Sequence, residues 1–456
     1  MRPAHDVRLI RSPISVAGMV LTTISGVVFI VVLLGDLFGL HSNPYLGIVF
    51  FFVLPALFVL GLLLIPLGAW VERRRRAAGK APASVEWPRI DLNDPVHRRR
   101  AVAVFALTLA NVVIVSLGAY KGVEYMDSAA FCGQVCHTPM KPQFVAHQLG
   151  PHARVTCVEC HVAPGARSLV RSKLAGTRRL VAVARASYSR PVIAAPEDLV
   201  ASRDSCEHCH LPGRFRGDMT RRIAEYADTE TNSESITTLR LHVGGTDRVG
   251  QTTGIHWHAD PGTSVEYIAT DDQRQTIPWV RVSDSRGVRE YTTGTVSPEQ
   301  LASGERRRME CTDCHNRPGH SIAATPDRAV DLAIARGEIP TTLPFVRREA
   351  VKALNESYPS EQAAIEAISR SFRDFYKSNH AHRAAALGPE IDRAVLATQN
   401  ILRRSVFPEM KVTFGTYVNN IGHIDAPGCF RCHDDEHVAK DGKTIGQDCE
   451  TCHTLE

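Results

Sequence analysis

Six times the sequence places two cysteines close together and a histidine directly after the second one. The six motifs are Cys132-Gly-Gln-Val-Cys136-His137, Cys157-Val-Glu-Cys160-His161, Cys206-Glu-His-Cys209-His210, Cys311-Thr-Asp-Cys314-His315, Cys429-Phe-Arg-Cys432-His433 and Cys449-Glu-Thr-Cys452-His453. They use all 12 cysteines of the chain. Cys-x-x-Cys-His is the attachment signature of c-type haem: the cysteines form thioethers with its vinyl groups, and the histidine binds its iron. The sequence therefore predicts about six covalently attached haems c, and a core built largely of porphyrin.

Paired cysteines also occur in zinc ribbons and in disulfide frameworks, so both alternatives were weighed. Neither requires a histidine directly after the second cysteine, and histidine fills 20 of the 456 positions. Chance agreement at all six motifs has a probability on the order of 10⁻⁸. The first motif departs from the others because three residues, instead of two, separate its cysteines. We expect the attachment chemistry to tolerate this longer loop.

Each motif supplies one axial histidine, and a low-spin electron-transfer haem takes a second axial ligand, usually His or Met. The proximal ligands are predicted to be His137, His161, His210, His315, His433 and His453. The preferred second ligands are His152, His258, His320, His423 and His437. Ranked below these are His147, His242, His256, His380 and His382. Met140, three residues after His137, is a further option for the first haem.

Residues 1–126 have the composition of a membrane anchor. Three apolar runs occupy Ile14–Leu34, Tyr45–Trp70 and Val102–Tyr120. Each is long enough to cross the roughly 30 Å hydrocarbon core as a helix. The first run is too long for a cleaved signal peptide, and no small-residue cleavage site follows it. The sequence therefore predicts three transmembrane helices.

The distribution of basic residues predicts the orientation of this anchor. The segment between the second and third runs carries Arg73, Arg74, Arg75, Arg76, Lys80, Arg89, Arg98, Arg99 and Arg100. The positive-inside rule places this segment and the N-terminus in the cytoplasm. All residues after Tyr120 then lie outside, where bacteria attach c-type haem. We expect a bacterial inner-membrane protein with a periplasmic haem region. The net charge of +5 resides largely in the cytoplasmic segment and indicates no nucleic-acid partner.

The expected fold class is mostly α, with three N-terminal transmembrane helices followed by a multihaem cytochrome c domain. Residues 127–215 hold three motifs, and within them Gly165–Arg190 reads as a basic amphipathic helix on the membrane surface. Residues 216–300 carry no motif and show period-two alternation, which predicts a small β-rich insertion. Residues 301–456 read as a helical region with the last three motifs, its helices beginning near Thr325, Pro359 and Gly388.

Three stretches resemble the NapC/NirT/NrfH family of membrane-anchored multihaem quinol dehydrogenases. They are Phe131-Cys-Gly-Gln-Val-Cys-His-Thr-Pro-Met-Lys-Pro, Gly150-Pro-His-Ala-Arg-Val-Thr-Cys-Val-Glu-Cys-His and Ser172-Lys-Leu-Ala-Gly. The resemblance covers roughly residues 100–215, and the three helices and long tail are similar to the inner-membrane branch of metal-reducing bacteria. It implies that Met140 ligates the first haem, that Lys173 approaches the quinol oxygen, and that His152 ligates a different haem. The chain departs from the family in its first motif and in having no acidic residue between Glu159 and Glu197.

The leading hypothesis for function is oxidation of menaquinol or ubiquinol, with electrons passing to a periplasmic c-type cytochrome or reductase. A quinol is a two-electron donor in the bilayer, and Lys173 can hydrogen-bond its oxygen. The alternative is a non-catalytic electron-transfer subunit tethered to a partner oxidoreductase. A terminal reductase is the third possibility, but such sites need an open iron, and the sequence contains no Cys-x-x-Cys-Lys motif.

Overall fold

The computed structural model describes residues 12–37, 53–77, 91–193, 200–211, 217–246, 252–294 and 297–456. The chain divides into two compact units, Met1–Val135 and Cys136–Glu456. The division falls inside the first motif, between Val135 and Cys136, and not at the predicted boundary after residue 126. The first unit is the predicted anchor, and the second contains the remaining five motifs.

Three long helices form the first unit: α1 (Pro13–Leu37), α2 (Leu54–Ala77) and α3 (Pro95–Asp127). All three are apolar and long enough to cross a membrane, as predicted. Residues 45–52 of the second predicted run lie outside the described residues, as do Lys80 and Arg89. Arg98–Arg100 belong to the first turns of α3, because Asp94 caps that helix and Pro95 occupies its first position.

Helices α1 and α2 approach closely because small residues line their contact. A Cβ atom placed on Gly18 would lie 2.7 Å from the carbonyl oxygen of Gly61, and one on Gly68 would lie 2.5 Å from the backbone nitrogen of Ser15. The hydroxyl of Ser15 donates to the carbonyl of Ile65 at 2.9 Å. Small residues and interhelical hydrogen bonds of this kind are what hold helices together in lipid, where hydrophobic burial gives no drive.

The second unit begins with short helices around the first three motifs. They are α4 (His137–Gln148), α5 (Cys157–His161) and α6 (Ala166–Ala184). Helix α6 lies within the predicted basic amphipathic segment. Leu174, Leu180 and Val181 on it are exposed. The side chain of Lys173, also on α6, lies outside the described part of the structure.

In the described residues, the β-rich region contains two antiparallel sheets built from nine strands. The strands are β1 (Gly217–Tyr226), β2 (Glu234–Thr246), β3 (Thr252–Thr253), β4 (Ser264–Ala269), β5 (Trp279–Asp284), β6 (Gly287–Thr292), β7 (Glu305–Arg308), β8 (Val438–Ala439) and β9 (His453–Leu455). The first sheet has the order β1-β2-β3 with β9 paired to β2, and the second has the order β7-β4-β5-β6-β8. The chain terminus therefore completes both sheets, and the β-rich region extends beyond the predicted limit at residue 300.

The remaining helices pack mostly into a bundle with a side-chain core of its own. They are α7 (Pro298–Ser303), α8 (Cys311–Cys314), α9 (Pro326–Ala335), α10 (Val346–Asn355), α11 (Glu361–Asn379), α12 (Ala381–Ala384) and α13 (Gly388–Ser405). Thr325 and Ser360 cap α9 and α11 through their side chains, close to the predicted starts. Ile368, Phe372 and Tyr376 are completely buried between these helices. The segment from α9 to α13 carries no motif, so a conventional hydrophobic core stabilises it without porphyrin.

Candidate haem centres

Five of the motifs fold into one short helical turn. Two are α-helical, at Cys157–His161 and Cys311–Cys314, and the other three are 3₁₀-helical. Either geometry brings side chains three positions apart onto one face. In three motifs the backbone N–H of the histidine donates to the carbonyl of the first cysteine, at 2.8 Å for His210, 2.8 Å for His315 and 3.0 Å for His433. The motifs therefore share a local backbone structure that places the two thiols and the histidine close together.

The first motif contains one extra residue and forms a wider helical turn than the other five. Phe131–Val135 forms a π-helix, and His137 begins α4 directly after Cys136. A π-helical turn closes i→i+5 hydrogen bonds and therefore holds more residues than an α-helical turn. Its cysteines are four positions apart, where the other motifs have three. The π-helical turn accommodates the residue that this motif has in addition to the other five.

Six pairs of described histidine rings have centroids about 6 Å apart. One pair, His147–His320 at 6.0 Å, contains no motif histidine. The other five pairs each join a motif histidine to a second histidine. The ring centroids are 6.0 Å apart for His161–His320, 6.0 Å for His152–His210, 6.2 Å for His256–His315, 6.0 Å for His258–His433 and 6.1 Å for His423–His453. Two imidazoles bound to one metal through bonds of about 2 Å have centroids roughly 6 Å apart. In these five pairs, where one ring belongs to a motif, the spacing fits an iron held between the two rings.

Hydrogen bonds orient several of these rings for iron. Nδ1 lies 3.1 Å from Pro318 O for His152, 3.0 Å from Val243 O for His256, 2.9 Å from Ile255 O for His258, 3.0 Å from Gln143 O for His320 and 3.0 Å from Gly446 O for His433. A carbonyl only accepts, so Nδ1 carries the proton and Nε2 keeps its lone pair for the metal. Burial lowers the pKa of His320 to about 4 and also lowers the pKa of His258, so both are neutral, as ligands must be.

Four of the five preferred second ligands stand opposite a motif histidine: His152, His258, His320 and His423. His437 does not. Its Nε2 lies 2.7 Å from Ile277 O and its Nδ1 lies 2.9 Å from a carboxylate oxygen of Asp434, and the ring is only 1% exposed. Both nitrogens are occupied by protein groups, so this geometry counts against His437 as a ligand.

His256, which the sequence analysis ranked below His437 as a second ligand, does face a motif histidine, His315. His256 and His258 flank Trp257 on one 3₁₀ turn, Ile255–Ala259, inside the region predicted to be free of haem. The alternating His-x-His pattern was the available signal. It could not be interpreted from sequence, because the strands that bring this turn to the fourth and fifth motifs are set by long-range pairing.

The first motif has a different neighbour. Met140 is half-buried on α4, one helical turn after His137, and its backbone N–H donates to Cys136 O at 3.0 Å. His147, further along the same helix, is buried and directs Nε2 at the carbonyl of Val155 at 3.0 Å. Met140 therefore stays the predicted second ligand of the first haem.

The second cysteine thiols of the fourth and fifth motifs are surrounded by other protein groups, which raises their pKa values. Burial raises the pKa of Cys314 to about 11 and the pKa of Cys432 to about 12, and the guanidinium of Arg431 opposes both shifts. These thiols are neutral at physiological pH. Addition of each S–H across a vinyl group gives a thioether with no leaving group, so attachment consumes the ionisable site.

The haem count is directly measurable. We expect the intact mass of the mature protein to exceed the polypeptide mass by six haems. The reason is that each of the six motifs provides two thiols and an adjacent histidine, the groups that covalent haem attachment requires. A Cys132→Ala, Cys136→Ala double variant is expected to lose one haem. A mass gain of five haems in both the unsubstituted protein and this double variant would show that the first motif is not used.

The chain is 40% identical over 448 residues, which are 97% of this chain and 88% of the relative, to the cytochrome c-type protein ImcH of Geobacter sulfurreducens. No family model matches the sequence, and no solved structure matches the fold. The relative's description as a c-type cytochrome accords with the six attachment motifs of this chain, its five pairs of facing histidines that include a motif histidine, and its three apolar helices. The chain belongs to the ImcH family of c-type cytochromes, as a membrane-anchored electron-transfer protein that carries covalent haem c.

Proposed function

We propose that this cytochrome oxidises a quinol at the membrane and relays the electrons to a periplasmic c-type cytochrome or reductase. The observation that carries the proposal is the direct attachment of the first motif to the third apolar helix. Helix α3 ends at Asp127, and Cys132 is five residues further on, which is at most about 18 Å of chain. The first centre is thereby held near the end of a membrane-spanning helix.

Local contacts within the first unit make this attachment rigid. The ring of Phe131 packs on Tyr125 of α3, with centroids 5.5 Å apart. The hydroxyl of Ser128 accepts from the N–H of Phe131 at 3.1 Å, and the carbonyl of Ser128 accepts from the N–H of Cys132 at 3.3 Å. The motif therefore continues the helix instead of following a free linker.

The chemistry requires such a position. Quinol stays in the bilayer and releases two electrons and two protons, whereas c-type haem, when bound, accepts and donates one electron at a time. The side chains of this chain supply the rest. On the resemblance to quinol dehydrogenases, Lys173 hydrogen-bonds the quinol oxygen and stabilises the negative charge left by proton loss. On the same resemblance, Met140 would be the second ligand of a haem bound at the first motif.

The topology completes the proposal. The basic segment at the end of α2 and the start of α3 is assigned to the cytoplasm. The haem-bearing unit then lies in the periplasm of a bacterial inner membrane. Helix α6, with exposed Leu174, Leu180 and Val181 and no acidic residue, is assigned to the lipid headgroup region. The three apolar helices and the nearby motifs favour this function over a simple tether to a partner enzyme.

Quinol reduction of the purified protein tests the proposal. We expect menaquinol or ubiquinol to reduce the haems of the detergent-solubilised holoprotein without any second protein. The rate should fall at least about tenfold in Lys173→Gln, because proton transfer and charge stabilisation typically contribute that much or more. Arg185→Gln, just after the end of the same helix, serves as the control. Haems that stay oxidised with quinol but are reduced by dithionite would contradict quinol oxidation.

A further inference from the structure

The fourth and fifth motifs share the turn that provides their facing histidines. His256 faces His315, and His258 faces His433, with centroids 6.2 and 6.0 Å apart. Both lie on Ile255–Ala259, so one short turn contacts both centres. The turn follows Gly254 at φ +82°, where a Cβ atom would lie 2.6 Å from the carbonyl of His242. Movement of one ligand therefore moves the other.

A second connection joins the same two motifs through Arg431, which directly precedes Cys432. Its guanidinium is 7% exposed and donates to three carbonyls: Gly428 at 2.8 Å, Arg274 at 2.9 Å and Asp313 at 2.8 Å. Asp313 directly precedes Cys314. The side chain of Arg431, in the fifth motif, thus forms hydrogen bonds with the backbone of the fourth motif and with the backbone of the turn between β4 and β5.

The guanidinium of Arg431 has no ion-pair partner among the described residues. The carboxylate of Asp313 accepts from Arg274 at 2.5 Å and from the hydroxyl of Tyr267 at 2.6 Å. Arg274 is therefore paired, whereas each hydrogen bond given for the side chain of Arg431 ends on a neutral carbonyl. The positive charge of Arg431 is thus buried without a bound carboxylate, in a place where electrostatic interactions are weakly screened.

The backbone conformation of Arg274 allows this residue to contact both Arg431 and Asp313. Arg274 adopts φ +57°, an uncommon conformation for a residue with a Cβ atom. In this conformation its carbonyl accepts from Arg431 while its guanidinium reaches Asp313. The carboxylate of Asp271 stabilises this turn by accepting hydrogen bonds from the backbone N–H groups of Gln273, Gln275 and Thr276.

We propose that Arg431 is a positioning residue that holds the fourth and fifth centres as one rigid pair, and that its buried charge raises the reduction potentials of both. A haem gains an electron on reduction, so a nearby uncompensated cation favours the reduced form. The inference rests on haem attachment at these two motifs and does not depend on the identity of the electron donor.

A redox titration of the detergent-solubilised holoprotein tests the inference. In Arg431→Gln we expect two haems to shift to lower potential, with about a tenfold change in their oxidised-to-reduced ratio at a fixed potential, which is about 59 mV for one electron. Arg431→Lys keeps the charge and should recover at least half of the shift. Arg286→Gln is the control, because Arg286 is exposed on the β5–β6 turn and pairs with Asp284.

The outcomes separate charge from structure. Intact mass first establishes that each variant carries the same number of haems as the unsubstituted protein. An unchanged titration in Arg431→Gln, or equal shifts in the Gln and Lys variants, overturns the role of the charge. If Arg431→Gln does not retain its haems, Arg274→Gln replaces it. That variant leaves Asp313 to offset Arg431 and should give the same downward shift, and an unchanged titration there also overturns the proposal.

Discussion

Replacement of His320 by leucine is expected to convert one haem from low-spin to high-spin and to slow electron passage through the protein at least about tenfold. His320 is the ring that faces His161, at a centroid distance of 6.0 Å, and its Nδ1 is oriented by Gln143 O at 3.0 Å. Leucine fills similar space but offers no lone pair, so the iron loses its sixth ligand. Absorption and electron paramagnetic resonance spectra of the oxidised holoprotein measure the spin state.

The matched control is His437→Gln, which removes another buried histidine of the same unit. Both nitrogens of His437 bind protein groups, so we expect all haems to stay low-spin in this variant. Its effect should be a loss of about 1–3 kcal/mol of stability, from the broken hydrogen bonds to Asp434 and Ile277. A high-spin haem in His437→Gln, with none in His320→Leu, would reverse the assignment.

Replacement of Arg347 by methionine is expected to destabilise the helical bundle by about 3 kcal/mol. Arg347 binds Asp331 at 2.7 Å, Asp228 at 2.7 Å and Asp327 at 3.0 Å, and its side chain is 11% exposed. Burial disfavours its charge, but hydrogen bonds to Asp331 and Asp228 outweigh burial and raise its pKa. Methionine leaves the buried carboxylate of Asp331 uncompensated and also removes the ion pair with Asp228 in the β1–β2 turn.

Arg373→Met is the matched comparison, because Arg373 forms an ion pair with the same nitrogen–oxygen distance as the Arg347–Asp331 pair. Arg373 pairs with Asp392 at 2.7 Å, but both side chains are about 60% exposed. Exposed pairs contribute about 0–1 kcal/mol, so this variant should unfold almost as the parent does. Thermal unfolding in detergent, followed by far-ultraviolet circular dichroism, measures both. Equal losses of stability in the two variants would show that burial of Asp331 is not the cause.

The elements predicted from local pattern agree with the structure. The three apolar helices needed only length and composition, because a chain in lipid has to satisfy its backbone hydrogen bonds within each helix. The starts of α9 and α11 were readable from Thr325 and Ser360, since a cap is a contact between near neighbours. The fold class, mostly α with a β-rich part, follows from the same local signals.

The predictions that depended on distant contacts were less complete. Helix α10, which lies between the predicted helices α9 and α11, was not anticipated. The pairing of β8 and β9, from the C-terminal part of the chain, with the two sheets was also not anticipated. Both depend on side chains and strands that meet only after folding. His437 was preferred to His256 for a similar reason, because sequence distance from a motif says little about which ring faces which iron.

The sequence by itself determined the cofactor, its points of attachment and the membrane anchor, because each is written in adjacent residues: two thiols with an imidazole, or about twenty apolar side chains in a row. Only the tertiary structure decided which histidines face one another, because each pair joins residues brought together by strand pairing and helix packing. It also placed Arg431 beside Asp313, a contact across 118 positions. Short-range chemistry is encoded locally, whereas the second ligand of each iron arrives through the fold.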